Sequence, residues 1–199
     1  TENEAFPGVK RTAEKVAEDF RRVTGTRPEL RTDGGADDFQ KAAKEKTAVR
    51  EKTARETGTE QEIVILAATL GHSPLTEKLV ESGLLSEDQL CKVQGKREVY
   101  LRVFLPGALD EKDLVLILGS DKRGTIYGLF SLSEYIGVTP LTFFGDAPLV
   151  HRKELILGEA VNAVSKEPSV EYRGFFINDE WPAFGSWCME HFGGFNASL

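Results

Sequence analysis

Between Val9 and Val23 the apolar residues Val9, Ala13, Val16, Ala17, Phe20 and Val23 return at helical spacing, with Lys, Arg, Glu and Asp between them. This pattern predicts an amphipathic helix, and Gly25 is a fitting stop. The rhythm then lapses. TGTRPELRTDGG reads as a loop from its Gly, Pro and Asp content. From Ala36 to Gln61 the chain is nearly all Lys, Glu, Arg, Asp, Thr and Ala, with Phe39 and Val49 as the larger apolar residues. A mixed-charge stretch of this kind predicts a solvated helix or a flexible excursion.

Apolar order resumes with EIVILAATLG, a continuous run bounded by turn residues, which predicts a buried strand. HSPLTEKLVESGLL predicts a helix with Ser73 as N-cap and Pro74 in its first turn. REVYLRVFLPG alternates Val99, Leu101, Val103 and Leu105 on one face, the mark of a half-buried strand. DLVLILGSD predicts a second buried strand. In KRGTIYGLFSLSEYIGV, residues Ile126, Leu129, Phe130, Leu132, Ser133 and Ile136 recur at near-helical spacing and Gly137 closes the run. KELILG and SVEYRGFFIND predict two last strands, and a helix follows. The order helix, strand, helix, strand, strand, helix, strand, strand, helix predicts an α/β domain, a sheet flanked by helices. Its boundary is expected in the loop-like NAVSKEPS, Asn162 to Ser169.

At 199 residues the chain can hold one good core and part of a second domain. Its 40% hydrophobic and 29% charged fractions are those of a globular protein in water. A net charge of −7 argues against nucleic-acid binding, which needs a basic face. The absence of a run of about 18 apolar residues predicts no transmembrane helix and no membrane partner. A basic segment followed by an apolar one, the mark of a signal peptide, is also missing. The chain opens on Thr1, so either a leader has been removed or the numbering starts inside a longer gene product. The two cysteines, Cys91 and Cys188, lack metal-ligand spacing and read as free thiols. No metal and no cofactor is expected.

Three stretches could carry chemistry. GSDKRGTIYG, Gly119 to Gly128, is a glycine-rich turn from strand to helix, but it lacks the ending of a phosphate loop and the spacing of a dinucleotide site. Tight strand–helix packing, with Asp121 or Ser120 as cap, is the preferred reading. Lys122 and Arg123 then stand at a helix start, where a cation is slightly unfavourable, a hint of an acidic partner. GHSP places His72 between a strand end and a helix start, where an anion could bind; a loop histidine without a role is the plainer reading. FFINDE sets Asn178, Asp179 and Glu180 directly after an apolar run. Two carboxylates and an amide can hydrogen-bond sugar hydroxyls or hold a water, and the same residues can equally cap a helix. Trp181, Phe184 and Trp187, with Phe192 and Phe195 beyond, suit sugar stacking or, more commonly, helix packing. NAS at Asn196 to Ser198 fits the N-glycosylation acceptor pattern and carries little weight.

Four stretches together resemble the amino-terminal region of glycoside hydrolase family 115, the xylan α-1,2-glucuronidases: GVKRTAEKVAEDFRRVTGTRP, ILAATLGHSPLTEKLVESG, GSDKRGTIYGLFSLSEYIGVTP and EPSVEYRGFFINDEWPAFGSWCMEHFGGFN. Their order matches, and the resemblance covers most of the chain apart from the charged stretch 36–61, which looks like an insertion. The resemblance implies an amino-terminal α/β accessory domain, residues 1–166, followed by the start of a (β/α)8 catalytic barrel, residues 167–199, truncated after its first strand and helix. It implies removal of 4-O-methyl-glucuronic acid from xylan, or a glucuronoxylo-oligosaccharide, with inversion. The remainder of its own barrel would be a partner, and secretion or a periplasmic location would follow. The general acid and base of the reaction lie outside this chain on that map, so the fragment alone is expected to be inactive. Asn178 and Asp179 would line the uronic-acid subsite, with Glu180 capping or behind them. His72 and Arg123 are weaker substrate-binding candidates, suited by charge to a carboxylate. LTFFGDA, Leu141 to Ala147, departs from the aromatic-rich segment common in the family. Two other readings stay open: another two-domain glycosidase, β-hexosaminidase-like or of another α-glucuronidase family, or a stand-alone carbohydrate-binding or interaction module. On the fragment reading Glu171–Leu199 should pack poorly and expose Phe175, Phe176 and Trp187, a patch that favours self-association, a homodimer included.

Overall fold

The computed structural model describes residues 5–31, 63–109, 112–145, 147–179 and 183–196. The charged stretch 36–61, Glu180 and Trp181 lie outside them. The chain divides into two units, Thr1–Glu167 and Pro168–Leu199.

The first unit is a mixed α/β layer structure. Among the described residues its elements are, in chain order, α1 (Pro7–Thr24), β1 (Ile63–Thr69), α2 (Leu75–Glu81), α3 (Glu87–Cys91), β2 (Tyr100–Leu109), β3 (Lys112–Gly119), α4 (Lys122–Ile136), α5 (Pro140–Phe144), a 3-10 turn (Glu159–Val161) and β4 (Ala163–Val164). The four strands form one sheet in the order β1-β3-β2-β4. β1 runs parallel to β3, from Ile63 opposite Asp113 to Thr69 opposite Gly119. β2 is antiparallel to β3 and to β4.

The period-2 rule of a strand divides the core between the two sheet faces. On β3, Leu114, Leu116 and Leu118 join Leu75 and Leu79 of α2, together with Leu85 and Val93. Val115 and Ile117 point the other way, to Val9, Val16 and Phe20 of α1 and Leu129, Leu132 and Ile136 of α4. Both faces of the central strand are covered, which is why its sequence is an unbroken apolar run. Val99, Leu101 and Val103 share the first of these cores, as their alternation predicts. Each fully buried Leu, Ile or Val contributes about 1.5 to 3 kcal/mol relative to exposure.

Helix α1 starts on Pro7 and stops where Gly25, at φ 83°, bonds its amide to the Arg21 carbonyl at 2.8 Å. Helix α4 starts on Asp121, whose carboxylate accepts the Gly124 N–H at 2.8 Å. A Cβ on Gly119 would collide with Thr125, and one on Gly124 with the Val99 carbonyl. One on Gly128 would stand 2.5 Å from Ile117 Cγ2. The glycines of GSDKRGTIYG therefore let α4 lie against the sheet, which is the packing reading of that stretch.

Several predicted elements differ. KELILG forms no strand: Leu155 and Leu157 pack into the α1/α4 core, but the segment is irregular. An apolar run becomes a strand only when a neighbouring strand takes its backbone bonds. For the same reason SVEYRGFFIND is not a strand among the described residues, and Phe175 and Phe176 are 99% and 92% exposed. The predicted α2 is shorter, ending at Glu81, and Ser73 does not cap it. Its buried Oγ instead accepts the Thr69 N–H at 3.1 Å, closing the end of β1. Within the expected boundary loop, Ala163–Val164 form β4. No helix among the described residues is long and apolar enough to cross a membrane.

The second unit contains α6 (Phe184–Phe192), ended by Gly193 at φ 71°. Phe184 stacks on Trp187 with centroids 5.5 Å apart, and Trp187 meets Phe192 edge-on at 5.5 Å. These neighbours leave Trp187 half-buried, where an exposed ring was expected. Cys188, on the same helix, is buried.

Candidate functional site

The candidate residues fall on both units. In the first, they gather where the parallel strands β1 and β3 deliver their carboxyl ends, and where β2 begins. The joint is tightly bonded. Leu70 N–H donates to the Gly119 carbonyl at 2.8 Å, and the buried hydroxyls of Thr69 and Thr125 lie 2.7 Å apart. Ser120 N–H donates to the Val99 carbonyl at 2.8 Å, and Val99 N–H donates back to Ser120 Oγ at 3.0 Å.

His72 is exposed, with its amide on the Thr69 carbonyl at 3.1 Å. Its ring stacks on Phe6, centroids 3.9 Å apart and planes 13° off parallel. The Lys122 ammonium stands 6.0 Å from the centroid of the same Phe6 ring. Phe6, just ahead of α1, thus gathers an imidazole and a cation on one aromatic surface, an arrangement at the outer limit of cation–π range.

Arg123 turns to a different partner. Its Nη1 donates to Glu98 Oε1 at 3.1 Å. The Glu98 side chain is 6% exposed and that of Arg123 60%, so the carboxylate is buried under a guanidinium that still faces water. Glu98 also carries φ 57°, a left-handed conformation uncommon outside glycine. Its N–H donates to Asp121 Oδ2 at 2.7 Å. One carboxylate, Asp121, therefore starts α4 and pins Glu98 together. Sequence reading missed Glu98, because nothing local marks it: its partners lie more than twenty residues along the chain. A guanidinium offers five N–H donors in a planar fork, so Arg123 keeps donors suited to an anionic group while it holds Glu98.

In the second unit Asn178 and Asp179 lie at the end of an exposed segment without regular secondary structure. Asp179 Oδ1 accepts the Gly185 N–H at 2.5 Å, near the start of α6. The carboxylate thus satisfies one of the amides that a helix start leaves without a partner, and its negative charge meets the positive end of the helix dipole. A Cβ on Gly185 would stand 2.5 Å from the same oxygen, so any larger residue there would displace the Asp179 carboxylate. Burial first, and the Asp179 charge second, push the Cys188 thiol above its ordinary value. Among the described residues no group of three or more His, Cys, Asp and Glu is placed to hold a metal ion.

Residues 165–199 match the family model of glycosyl hydrolase family 115. A solved structure described as "a novel family GH115 4-O-Methyl-alpha-glucuronidase, BtGH115A, with specificity for decorated arabinogalactans" aligns with 99% of this chain, at 21% identity and a TM-score of 0.65. The alignment covers 21% of that protein's own chain, so the present chain spans about one fifth of its length. No curated protein matches the chain. The chain therefore resembles family 115 in two ways: by sequence over its last 35 residues, and by fold over nearly its whole length.

Proposed function

We propose that this chain is the amino-terminal part of a glycoside hydrolase that removes glucuronic acid or its 4-O-methyl ether from a plant polysaccharide. The observation that carries this reading is the family 115 match over residues 165–199, the stretch that holds Asn178 and Asp179. The first unit serves as the accessory α/β domain. The exposed segment around Phe175 and Phe176 becomes the first strand of a (β/α)8 barrel once strands from the rest of a longer protein pair with it. In such barrels function sits at the carboxyl ends of the strands, which is where Asn178 and Asp179 fall.

On this reading the hydrolysis inverts the anomeric centre. One carboxylic acid protonates the leaving oxygen and one carboxylate activates a water, roughly 6.5–9.5 Å from it. Both come from later strands. The Asn178 amide accepts from and donates to sugar hydroxyls and the Asp179 carboxylate accepts from them; with its bond from the Gly185 N–H, Asp179 is held at a defined angle for that task. Its negative charge suits a hydroxyl better than the uronate carboxylate. On the first unit, taken by itself, His72 and Arg123 offer N–H donors suited to a carboxylate. A polymeric substrate cannot enter a cell, so the protein acts outside the cytoplasm, secreted or periplasmic.

The polysaccharide backbone is xylan on the strength of the sequence resemblance. The specificity named for the solved relative favours a second candidate, a decorated arabinogalactan. The test is release of 4-O-methyl-glucuronic acid from glucuronoxylan and from glucuronate-decorated arabinogalactan, comparing the 199-residue chain with the full product of its gene. Activity is expected only in the longer protein, with loss on Asn178→Ala or Asp179→Ala. Release from neither polymer by the longer protein would overturn the reading in favour of another glycosidase class or a carbohydrate-binding module.

A further inference from the structure

We propose that Val161–Glu167 is a strap that closes the outer edge of β2, locked by Arg102, and that it denies this edge to any added strand. β2 runs from Tyr100 to Leu109, yet β4 pairs with it only at Leu101 and Arg102. A strand edge with free N–H and C=O groups is a template for another chain. Here side chains extend the ladder past the two paired residues. Phe104 N–H donates to Asn162 Oδ1 at 2.6 Å. Tyr100 N–H donates to Ser165 Oγ at 2.9 Å, and Ser165 N–H donates back to the Tyr100 carbonyl at 3.0 Å. Ahead of the strand, Arg97 N–H donates to Glu167 Oε1 at 2.8 Å. Attachments thus follow one another from Asn162 to Glu167, although only two residues of the strap are strand.

The lock is Arg102, a cation 5% exposed on the α4 side of the sheet. Its Nε donates to the Val161 carbonyl at 2.6 Å and its Nη1 to Ser131 Oγ at 2.9 Å. Its guanidinium carbon stands 5.3 Å from the centroid of the Tyr135 ring. One side chain rooted in β2 therefore ties the start of the strap to α4. The strap is itself a poor template, because β4 is two residues long and Lys166, Glu167 and Pro168 follow it.

The test is residue-resolved amide hydrogen exchange on the 199-residue chain. The Tyr100 and Phe104 amides are expected to be protected although they lie on the sheet's outer edge. Asn162→Ala, at an exposed position, should speed exchange at Phe104 roughly ten-fold and leave Tyr100 unchanged; Ser165→Ala should do the reverse. Arg102→Met should release both amides. As protein concentration rises, protection at both should return through strand addition between copies. The Asn162→Ala/Ser165→Ala double variant keeps the test decisive if Arg102→Met does not fold. Unprotected Tyr100 and Phe104 amides in the unaltered chain would overturn the strap. Unchanged exchange in a folded Arg102→Met variant would overturn the lock. Opened variants that never regain protection would overturn the denial of the edge. The readout sits on β2, so association through Phe175 and Phe176 does not imitate it.

Discussion

The Asp121 carboxylate holds Glu98 by its backbone: Oδ2 accepts the Glu98 N–H at 2.7 Å while Oδ1 accepts the Gly124 N–H at 2.8 Å. The left-handed conformation at Glu98 costs roughly 1 to 3 kcal/mol, and the Asp121 bond offsets it. Asp121→Ala removes a helix cap and this anchor at once, an expected loss of about 2 kcal/mol. A domain of this size should then melt about 4 to 8 °C lower. Asp121→Asn keeps one acceptor oxygen and should lose about half as much. Thermal melts followed by circular dichroism check both.

Gly128→Ala and Gly158→Ala separate packing from backbone freedom. A methyl at Gly128 meets the Ile117 side chain at 2.5 Å in the α1/α4 core, and the expected cost is about 1 to 3 kcal/mol. At Gly158 nothing lies within 4 Å and the backbone is extended, φ −136°. Alanine there should be within about 0.5 kcal/mol of neutral. Urea unfolding midpoints distinguish the two.

The contrast between the first unit's strands shows what sequence pattern can carry. β1, β2, β3, α1 and α4 were legible because their periodicity is local and their burial follows from it: Leu114 and Val115 face opposite cores because adjacent residues on a strand must. The segments around Leu155 and Phe175 look equally strand-like, yet a strand is a relation between two segments, and neither finds a partner among the described residues. Asn162 and Ser165 read as loop residues, since nothing in NAVSKEPS announces that two side chains will substitute for ladder amides. Of the candidate site, the capping side of Asp179 was legible from its place ahead of a helix. The burial of Glu98 under Arg123 was not, because it depends on two turns meeting at one end of the sheet.

The two thiols should differ sharply. Cys91 is exposed and Cys188 buried. In the folded chain a thiol reagent such as dithionitrobenzoate should label Cys91 alone at neutral pH, and both should react in denaturant. The folded Cys188 pKa is raised, chiefly by burial. Its contribution to stability is therefore fully present below the unfolded thiol value, about 8.5, and is lost as pH rises through the folded one. Cys188→Ser should remove that alkaline component of a stability–pH profile.

Among the described residues of the second unit, Phe175 and Phe176 are the most exposed large apolar ones, with Tyr172 close behind at 89%. The 199-residue chain should self-associate at high concentration through this stretch. Phe175→Ser/Phe176→Ser should shift it toward monomer with no change in the melting temperature of the first unit. Light scattering coupled to size exclusion reads the first effect and calorimetry the second.

The strand order β1-β3-β2-β4 also sets how the first unit can assemble in time. β2 and β3 are neighbours in sequence and pair at once, whereas β1 must find β3 across the intervening α2, α3 and β2, with Ile63 landing opposite Asp113. Short-range contacts form before distant ones, because each distant contact first requires closing a loop. The hairpin with α4 laid on its face is the natural nucleus, and α1 and β1 arrive afterwards. Loop-closure entropy grows only with the logarithm of length, about 0.6 kcal/mol per doubling. The loop closed when Ile63 meets Asp113 therefore costs little more than a shorter one would, and the order of docking is set by rate rather than by stability.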